Sequence, residues 1–420
     1  MPYDQGFIRN LALLEEKMYR EAWYNTFWGG MSGLVDISKD DNGNPKYKPS
    51  GKPIEVLNKA LEEGRDNILI PFENALSGAP VFGDTTLKGT GESMTWKWLR
   101  SYMNATRKAV APKEGVMSEH RAKSLNQIAK ARPQLSDWFA KWTNQQVYRA
   151  FYEGVSQNLS ASNANDGLGL YKRYHPNFYV NVAGVLTKVA TTEGETPTAT
   201  ELNSAVTAAN TNLTPAILLK LRAKCMKLKI PQIVTEQGFK FWLLITHPDS
   251  LAYLQSQSSY TAVQNAAYTG KMLDNTQITG LAGYYAGFAI VEDVVGIRGW
   301  DNAAGGFFGD DDADPISSMF EPTNFASPID NHCHVVVGNS AIGRAVGKNY
   351  ALSEELDDHG AIIEIGGTII DGFNRADFAA EADSTEESGG LFFKDTTGGV
   401  ADGIATKNQS SLILMTDPSA

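Results

Sequence analysis

The amino-acid sequence predicts an α+β fold. Stretches whose apolar residues recur every three or four positions, as in helices, are interspersed with short apolar runs bounded by glycine, proline and asparagine, as in strands. The two kinds of segment follow one another without the regular strand-helix-strand order of a parallel α/β sheet, and no internal repeat is seen. The 420 residues are enough for about two or three domains.

Two segments have the period of amphipathic helices. The first is residues 7–27, where the apolar positions are Ile8, Leu11, Leu14, Met18 and Trp23. The second begins at Ser118 and extends for about 35 residues, or roughly 50 Å at 1.5 Å per residue. We expect Pro133 to kink or interrupt it, because proline lacks the N–H that a helix needs. Further along, Thr214 followed by Pro215 predicts the start of another helix.

A long hairpin with a glycine-rich tip is predicted between residues 67 and 110. An apolar run opens residues 67–83, the segment GDTTLKGTGES (83–93) follows, and Trp96 to Val110 returns as a second strand. The segment resembles a phosphate-binding loop, but such a loop needs Gly-Lys where this chain has Lys88 followed by Gly89. We therefore interpret it as a turn and not as a nucleotide site.

The C-terminal half mixes strands and helices. Residues 239–257 predict a buried strand that runs into a short helix begun at His247-Pro248, and 280–296 predict strands and turns. Residues 334–348 predict a strand followed by a helix of small residues, and 360–378 a pair of strands. The segment 190–214 is polar and low in apolar residues until its last third, so no element is predicted there.

Composition restricts the classes of function. The formal net charge is −11 and the pI about 5.1, which disfavours tight, sequence-independent binding of DNA because such binding needs a basic surface. A space that holds DNA without gripping it remains compatible with this charge. Two cysteines far apart in sequence form no disulfide framework. Without a signal peptide pattern or an apolar run of about 18 residues, we expect a soluble protein made in the cytoplasm, with no membrane contact.

Two segments contain candidate metal ligands. In GDDDADPISSMFE, Asp310, Asp312, Asp314 and Glu321 have the spacing of a calcium loop, but Pro315 replaces the glycine that its sharp turn needs, and a solvated acidic turn is the favoured interpretation. In NHCHVVV, His332 and His334 share one face of a predicted strand, but two ligands do not complete a zinc site. We expect neither a metal nor a cofactor.

Catalytic patterns are weak. EELDDHG (354–360) places acids beside a histidine, but no GxSxG elbow and no convincing second acidic motif accompanies it. The aromatic run WKWLRSY suggests a platform for single-stranded nucleic acid, although an apolar face packed on a neighbour suits the acidic chain better. The predicted arm, hairpin and long helix project too far to bury their apolar residues within one small subunit, which predicts large interfaces between subunits.

The order of these elements resembles a known family. An arm, a hairpin with GDTTLKGTGES, a long helix ending in WFAKWTNQQVYRAFYEG, then LRAKCMKLKIPQI, FKFWLLITHPDSLAYLQ and GAIIEIGGTIIDGFNRADF follow one another. This series is similar to the major capsid proteins of tailed phages, in particular the podophage family typified by coliphage N-four. The resemblance spans about residues 60 to 380 and depends on several motifs together.

The resemblance implies the Hong Kong ninety-seven type of capsid fold, shared with herpesviruses. It implies this division of the chain: an N-terminal arm (1–60), an extended hairpin loop (61–112), a peripheral domain with the spine helix (113–260), an axial domain (261–345), peripheral-domain strands (346–380) and a C-terminal extension (381–420). The extension exceeds the family pattern, and its LFF and LILM runs are expected to pack on the shell, or on a neighbour.

The resemblance also implies function, partners and site residues. It implies hexamers and pentamers that close as an icosahedral head around double-stranded DNA, with portal, scaffolding and decoration proteins as further partners, in the host cytoplasm during assembly and in the virion afterwards. Expected contacts between subunits are Gly83, Asp84, Lys88, Gly89, Gly91, Glu92, Trp96 and Trp98 at the hairpin, and Leu11, Leu14, Met18 and Trp23 in the arm. No catalytic residue is expected, no N-terminal segment is expected to be removed, and no isopeptide bond is expected at Lys88.

Two alternatives remain at this point. A bacterial nanocompartment shell has the same fold and a protein cargo. A metal-dependent hydrolase would use the acids of residues 310–321.

Overall fold

A computed structural model describes most of the chain. The described residues are 15, 17–24, 26–39, 45–48, 50–58, 67–73, 80–83, 96–110, 127–154, 174–191, 196–209, 211–235, 238–269, 281–293, 296–301, 306–307, 331–357, 362–379, 406–408 and 410–418.

Helices and strands are intermingled along these residues, which confirms the α+β prediction. A π-helical turn at Arg20–Tyr24 precedes helices α1 (Phe27–Gly30), α2 (Gln127–Glu153), α3 (Ala199–Ala208), α4 (Pro215–Lys227), α5 (Pro248–Ser256) and α6 (Ser258–Thr269). The strands are β1 (Ser32–Leu34), β2 (Asp36–Lys39), β3 (Pro45–Lys48), β4 (Ile54–Leu57), β5 (Asn67–Glu73), β6 (Trp96–Tyr102), β7 (Asn104–Val110), β8 (Phe178–Val182), β9 (Val185–Lys188), β10 (Ile233–Val234), β11 (Lys240–Thr246), β12 (Leu281–Tyr285), β13 (Phe288–Glu292), β14 (Trp300–Asp301), β15 (Gly306–Phe307), β16 (His332–Val337), β17 (Ile342–Asp357), β18 (Ile362–Arg375), β19 (Asp377–Ala379), β20 (Thr406–Asn408) and β21 (Ser411–Thr416).

Two large sheets organise the chain. The five-stranded sheet has the order β1-β4-β17-β18-β7, and its long centre is the antiparallel pair β17 and β18. The eight-stranded sheet has the order β12-β13-β11-β16-β21-β8-β9, with β10 paired to β11. Strands on both sides of the expected boundary at residue 260 meet in the second sheet, since β11 pairs with β13 and β16. The strands of the segment expected to form the axial domain (261–345) therefore share a sheet with β8, β9 and β11.

The eight-stranded sheet is covered on both faces. In β11, Leu243 and Ile245 join the core that contains α2 and α3, while Trp242 and Leu244 join a second core under α4 and α5. Because successive side chains of a strand point to opposite faces, a strand covered on both sides needs consecutive apolar residues. The run FWLLI in β11 meets that need, and its prediction as a buried strand is confirmed.

Helix α2 passes through Pro133 without interruption. Its described part begins at Gln127, and Ser118, where its start was predicted, lies outside the described residues. A proline inside a helix removes one backbone hydrogen bond. Burial offsets this loss, because the side chains of Leu135, Phe139 and Phe151 are wholly buried in the main core.

Two further predictions are wrong. Residues 342–348 do not form a helix of small residues: they open β17, which pairs with β18 from Ile342↔Arg375 onward. Long-range pairing here overrides a weak local preference. The segment 190–214, where no element was predicted, contains α3, and its capping box joins Thr198 and Glu201. The T-x-x-E spacing was the signal that could have located this helix.

The C-terminal extension completes the eight-stranded sheet. Strand β21 lies between β16 and β8, antiparallel to the first and parallel to the second. Its apolar residues Leu412, Ile413, Leu414 and Met415 are wholly buried and divide between the two cores. The LILM run, expected to pack on the shell or on a neighbour, is therefore buried between the two covered faces of this chain's own sheet.

Candidate functional site

The predicted hairpin is present and pairs with no third strand among the described residues. We call the two strands Asn67–Glu73 and Trp96–Tyr102 the β5–β6 ribbon. They pair antiparallel from Asn67↔Tyr102 to Glu73↔Trp96. At 3.4 Å per residue the ribbon is about 24 Å long.

The base of the ribbon is fixed to the five-stranded sheet. One residue, Met103, separates β6 from β7, and its side chain is buried. A Cβ atom on Gly347 of β17 would lie 3.0 Å from the sulfur of Met103, so a larger residue there would have to displace the Met103 side chain by a few tenths of an ångström. Strand β7 then continues along the sheet edge, paired with β18. The base of the ribbon is therefore anchored in the sheet, and β6 also lies close to β17, β18 and β19.

The tip of the hairpin is described only as far as residue 83. Phe82 is 78% exposed, and Gly83 has a positive φ of +66°, a conformation that glycine adopts without strain. The expected contact residues Asp84, Lys88, Gly89, Gly91 and Glu92 lie outside the described residues. Trp96 and Trp98 lie in β6 at alternate positions, which share one face of a strand.

The arm residues that the structure describes belong to the chain's own core. Met18 is wholly buried beside Gly367, and Trp23 lies against Phe373 and under the guanidinium of Arg344, 4.0 Å from its ring centroid. The side chains of Met18 and Trp23 are therefore covered by residues of their own chain, and their expected contact with a neighbouring subunit stays a prediction. Leu11 and Leu14 lie outside the described residues.

The remainder of the expected arm (1–60) also enters the fold. Strands β1 and β4 form one side of the five-stranded sheet, where β4 pairs parallel with β17. Trp28 packs against Tyr148 and Phe151 of α2, with ring centroids 5.5 Å away in both contacts. The described part of this segment is a structural layer of the subunit.

The structure brings together histidines that are separate in the sequence. His247 caps the start of α5 and His332 opens β16, and their ring centroids are 4.1 Å apart. Asp249, in the first turn of α5, has a carboxylate oxygen 3.3 Å from His247 Nδ1. Burial lowers the pKa of His247 and lowers the pKa of His332 to about 3. Both imidazoles are therefore neutral near pH 7.

The expected pair of His332 and His334 differs in its two members. His334 hydrogen-bonds through both ring nitrogens, Nδ1 with Thr246 Oγ1 at 3.0 Å and Nε2 with Thr416 Oγ1 at 2.8 Å. His332 hydrogen-bonds through Nδ1 with Ser250 Oγ at 2.9 Å. His334 thus connects β11, β16 and β21, whereas His332 connects β16 to α5.

A buried polar network holds the C-terminal strand. Arg375 and Asp377 form a fully buried ion pair at 2.6 Å, and Asn408 donates a hydrogen bond to Asp377. The Asn408 side-chain oxygen accepts from the backbone N–H of Ser411, and His175 Nε2 bonds with Ser411 Oγ at 2.8 Å. The network links β19, β20 and β21.

The structure describes little of the other candidate metal and catalytic segments. The acids at 310–321 lie outside the described residues, as does the end of the 354–360 segment, whose first part belongs to β17. Within the described ranges, no helix is both long and apolar enough to cross a bilayer.

Comparison with known proteins gives a family. The family model described as "Phage capsid protein" matches residues 42–391, most of the chain. No curated protein sequence matches.

Solved capsid structures share the fold. The capsid of Ralstonia phage GP4 is 14% identical over 87% of this chain and 87% of that one, with a TM-score of 0.57. The cyanophage Pam1 capsid is 14% identical over 88% and 90%, with a TM-score of 0.57. The capsid of Helicobacter pylori bacteriophage KHP30 is 11% identical over 94% and 92%, with a TM-score of 0.54.

The fold, the anchored ribbon and the family match lead to one assignment. The chain belongs to the phage capsid protein family and is a major capsid protein of a phage virion, a structural protein and not an enzyme.

Proposed function

We propose that copies of this chain associate into hexamers and pentamers and close as an icosahedral head around double-stranded DNA. We propose that the chain belongs to the podophage subfamily typified by coliphage N-four and has the Hong Kong ninety-seven type of shell fold. Portal, scaffolding and decoration proteins are proposed as partners, and the host cytoplasm as the place of assembly. The family and the resemblance of the motifs support this proposal.

The observation that carries the proposal is the β5–β6 ribbon. An isolated two-stranded hairpin is marginally stable in water. Strand β5 reads NILIPFE, with Ile68, Leu69 and Ile70 in succession, so both of its faces are apolar. Apolar residues on both faces of a two-stranded ribbon are best covered by an adjacent subunit.

Pro71 defines how the neighbour is expected to dock. It lies inside β5 opposite Trp98. Because proline has no N–H to donate, a strand that contains it belongs at a sheet edge. A neighbouring subunit therefore covers the ribbon through side-chain packing on its faces and not by adding a strand along β5.

The charge of the chain sets the proposed relation to DNA. With 48 acidic and 37 basic residues the chain has a net charge of −11, which disfavours a basic surface that would replace the counterions of a phosphate backbone. We infer that the shell encloses DNA without sequence-specific contacts. A nanocompartment shell remains the second candidate, and the family match to phage capsids favours the phage head over it.

Deletion of residues 83–91 tests the proposal. The wild-type chain is expected to form closed particles by negative-stain microscopy, with nuclease-protected double-stranded DNA in particles from infected cells. The deletion variant is expected to fold, with an unchanged unfolding midpoint, and to remain as free subunits or capsomers.

A matched control alters another hairpin tip. Gly184, between β8 and β9, has a φ of +76°, which asparagine tolerates, so Gly184→Asn should assemble as the wild type does. Closed shells from the deletion variant would refute the role of the ribbon, and protein cargo without DNA would favour the nanocompartment.

A further inference from the structure

We propose that His247, Asp249 and His332 form a binding site for Zn²⁺ at the junction of β11, α5 and β16. One nitrogen of each imidazole and one carboxylate oxygen of Asp249 lie within 4.8 Å of one another. Sequence spacing identified only His332 and His334 as candidate ligands, and folding brings His247 and Asp249 to His332.

The separations suit a small metal ion. Zinc binds imidazole nitrogen and carboxylate oxygen at about 2.0–2.1 Å, which places two ligands of a tetrahedron about 3.4 Å apart. His247 Nδ1 accepts the backbone N–H of Asp249 as the cap of α5, so Nε2 is the nitrogen of His247 that would bind the metal. The Asp249 carboxylate lies beside the same ring, 3.3 Å from Nδ1. The ring centroids of His247 and His332 are 4.1 Å apart.

The fold positions the ligands before any metal arrives. Strands β11 and β16 are antiparallel, with Ile245 opposite Val335, and continuing this register brings His247 beside the start of β16. His332 is buried in that strand and hydrogen-bonds with Ser250 Oγ through Nδ1. When Nδ1 donates to Ser250, the Nε2 lone pair is free for a metal, which is how an outer partner usually orients a histidine ligand.

The donor set selects the class of metal. Two neutral imidazoles and one carboxylate match zinc and related transition metals, whereas Ca²⁺ and Mg²⁺ prefer oxygen ligands. His334 is excluded as a ligand because threonine hydroxyls occupy both of its nitrogens. Asp249 is 74% exposed, so the fourth position faces water, as in zinc sites with three protein ligands.

Charge at the helix terminus is balanced by the same residues. The amino end of α5 carries a partial positive charge that opposes a cation. Asp249 lies in the first turn of this helix and supplies the compensating negative charge. A bound ion would join α5 to β16 across the edge of the second core.

The test uses the full-length chain after removal of metals with a chelator. Isothermal titration with ZnCl₂ is expected to show one ion bound per chain and a raised thermal midpoint, and CoCl₂ should give the visible absorption of tetrahedral cobalt. Asp249→Asn is an exposed change that leaves the fold intact. Loss of a residue that only hydrogen-bonds to a metal ligand weakens metal binding by about 10- to 100-fold, and Asp249→Asn is expected to weaken Zn²⁺ binding by more than this. Ser250→Ala is expected to weaken it within that range.

Asp137→Asn is the matched control, because Asp137 is 66% exposed on α2 and pairs only with Lys141 among the ion pairs described. It should bind Zn²⁺ as the wild type does. The proposal is overturned if the wild type shows no saturable binding of one ion per chain. It is equally overturned if Asp249→Asn binds as tightly as the wild type, because other histidines would then hold the metal.

Discussion

The β5–β6 ribbon and strand β21 differ in their strand neighbours: β21 pairs with two other strands of a large sheet, whereas β5 and β6 pair only with each other among the described strands. Both carry consecutive apolar residues, and both were expected to contact neighbours. Strand β21 lies inside the eight-stranded sheet, where every residue from Ser411 to Thr416 is buried. The ribbon pairs only with itself among the described strands. A consecutive apolar run thus indicates two covered faces but does not tell which chain covers them.

The comparison distinguishes residues needed for folding of the subunit, as in β21, from residues proposed to be needed for assembly of the shell, as in the ribbon. Damage to β21 should unfold the chain, whereas damage to the ribbon should leave it folded and unable to assemble. The predictions below run from the largest expected effect on stability to the smallest.

The first prediction is that Leu414→Asp prevents folding. Leu414 is wholly buried between β16 and β8. Truncation alone, as in Leu→Ala, typically costs about 2–5 kcal/mol, and an unpaired buried carboxylate adds to this. Soluble yield and urea unfolding measure the effect. Leu219→Asp, at a leucine of α4 that is 52% exposed, should change the unfolding free energy little, and a folded Leu414→Asp chain would contradict the account.

The second prediction concerns the network that anchors β21. Asp377→Ala leaves Arg375 buried without its carboxylate partner, and breaking a buried pair in this way costs about 3–5 kcal/mol. Urea unfolding monitored by tryptophan fluorescence gives the value. The exposed pair of Asp137 and Lys141 provides the contrast, because Asp137→Ala should cost at most about 1 kcal/mol. Equal costs for the two variants would show that the buried pair does not anchor the strand.

The third prediction is a loss of stability in acid through His175. Burial, and secondarily the positive charge of Arg375, hold the pKa of His175 well below its usual 6.5, although Asp377 opposes the shift. The unfolded chain therefore takes up the proton first. Stability is complete above about pH 6.5 and falls below it by up to about 1.4 kcal/mol per pH unit until the folded-state pKa is passed.

His175→Gln isolates this contribution, since the remaining histidines titrate in both proteins. Unfolding free energies at pH 7.5 and pH 5.0 should differ by about 2 kcal/mol less in the variant than in the wild type. Identical pH dependence in the two proteins would mean that His175 is not held neutral against Ser411.

The fourth prediction is that a substitution beside the hairpin tip slows assembly without changing the free energy of unfolding. Phe82 is 78% exposed beside the hairpin tip, so Phe82→Ser should shift the unfolding free energy by less than about 0.5 kcal/mol. We expect slower assembly, followed by light scattering. Unchanged assembly would indicate that the contact with the neighbour excludes this part of the tip.

Sequence reasoning succeeded where the signal is local. The cap at Thr214, the helix start at His247 and the hairpin strands on either side of the tip all depend on neighbouring residues, and the structure has each of them. Sequence reasoning did not predict packing that depends on residues distant in the sequence. Met18 and Trp23 are buried by residues more than 300 positions away, such as Gly367 and Phe373, and no local pattern reports such partners. The cluster of His247, Asp249 and His332 was not predicted for the same reason, because His247 and His332 are brought together by the pairing of β11 with β16.

A reconstruction of the assembled particle by electron cryomicroscopy tests the central claim most directly. The account predicts that an adjacent copy covers the apolar faces of the β5–β6 ribbon and that β21 lies between β16 and β8 of its own subunit. A ribbon that stands in solvent without a neighbour in contact, or a β21 strand supplied by another copy, would contradict it.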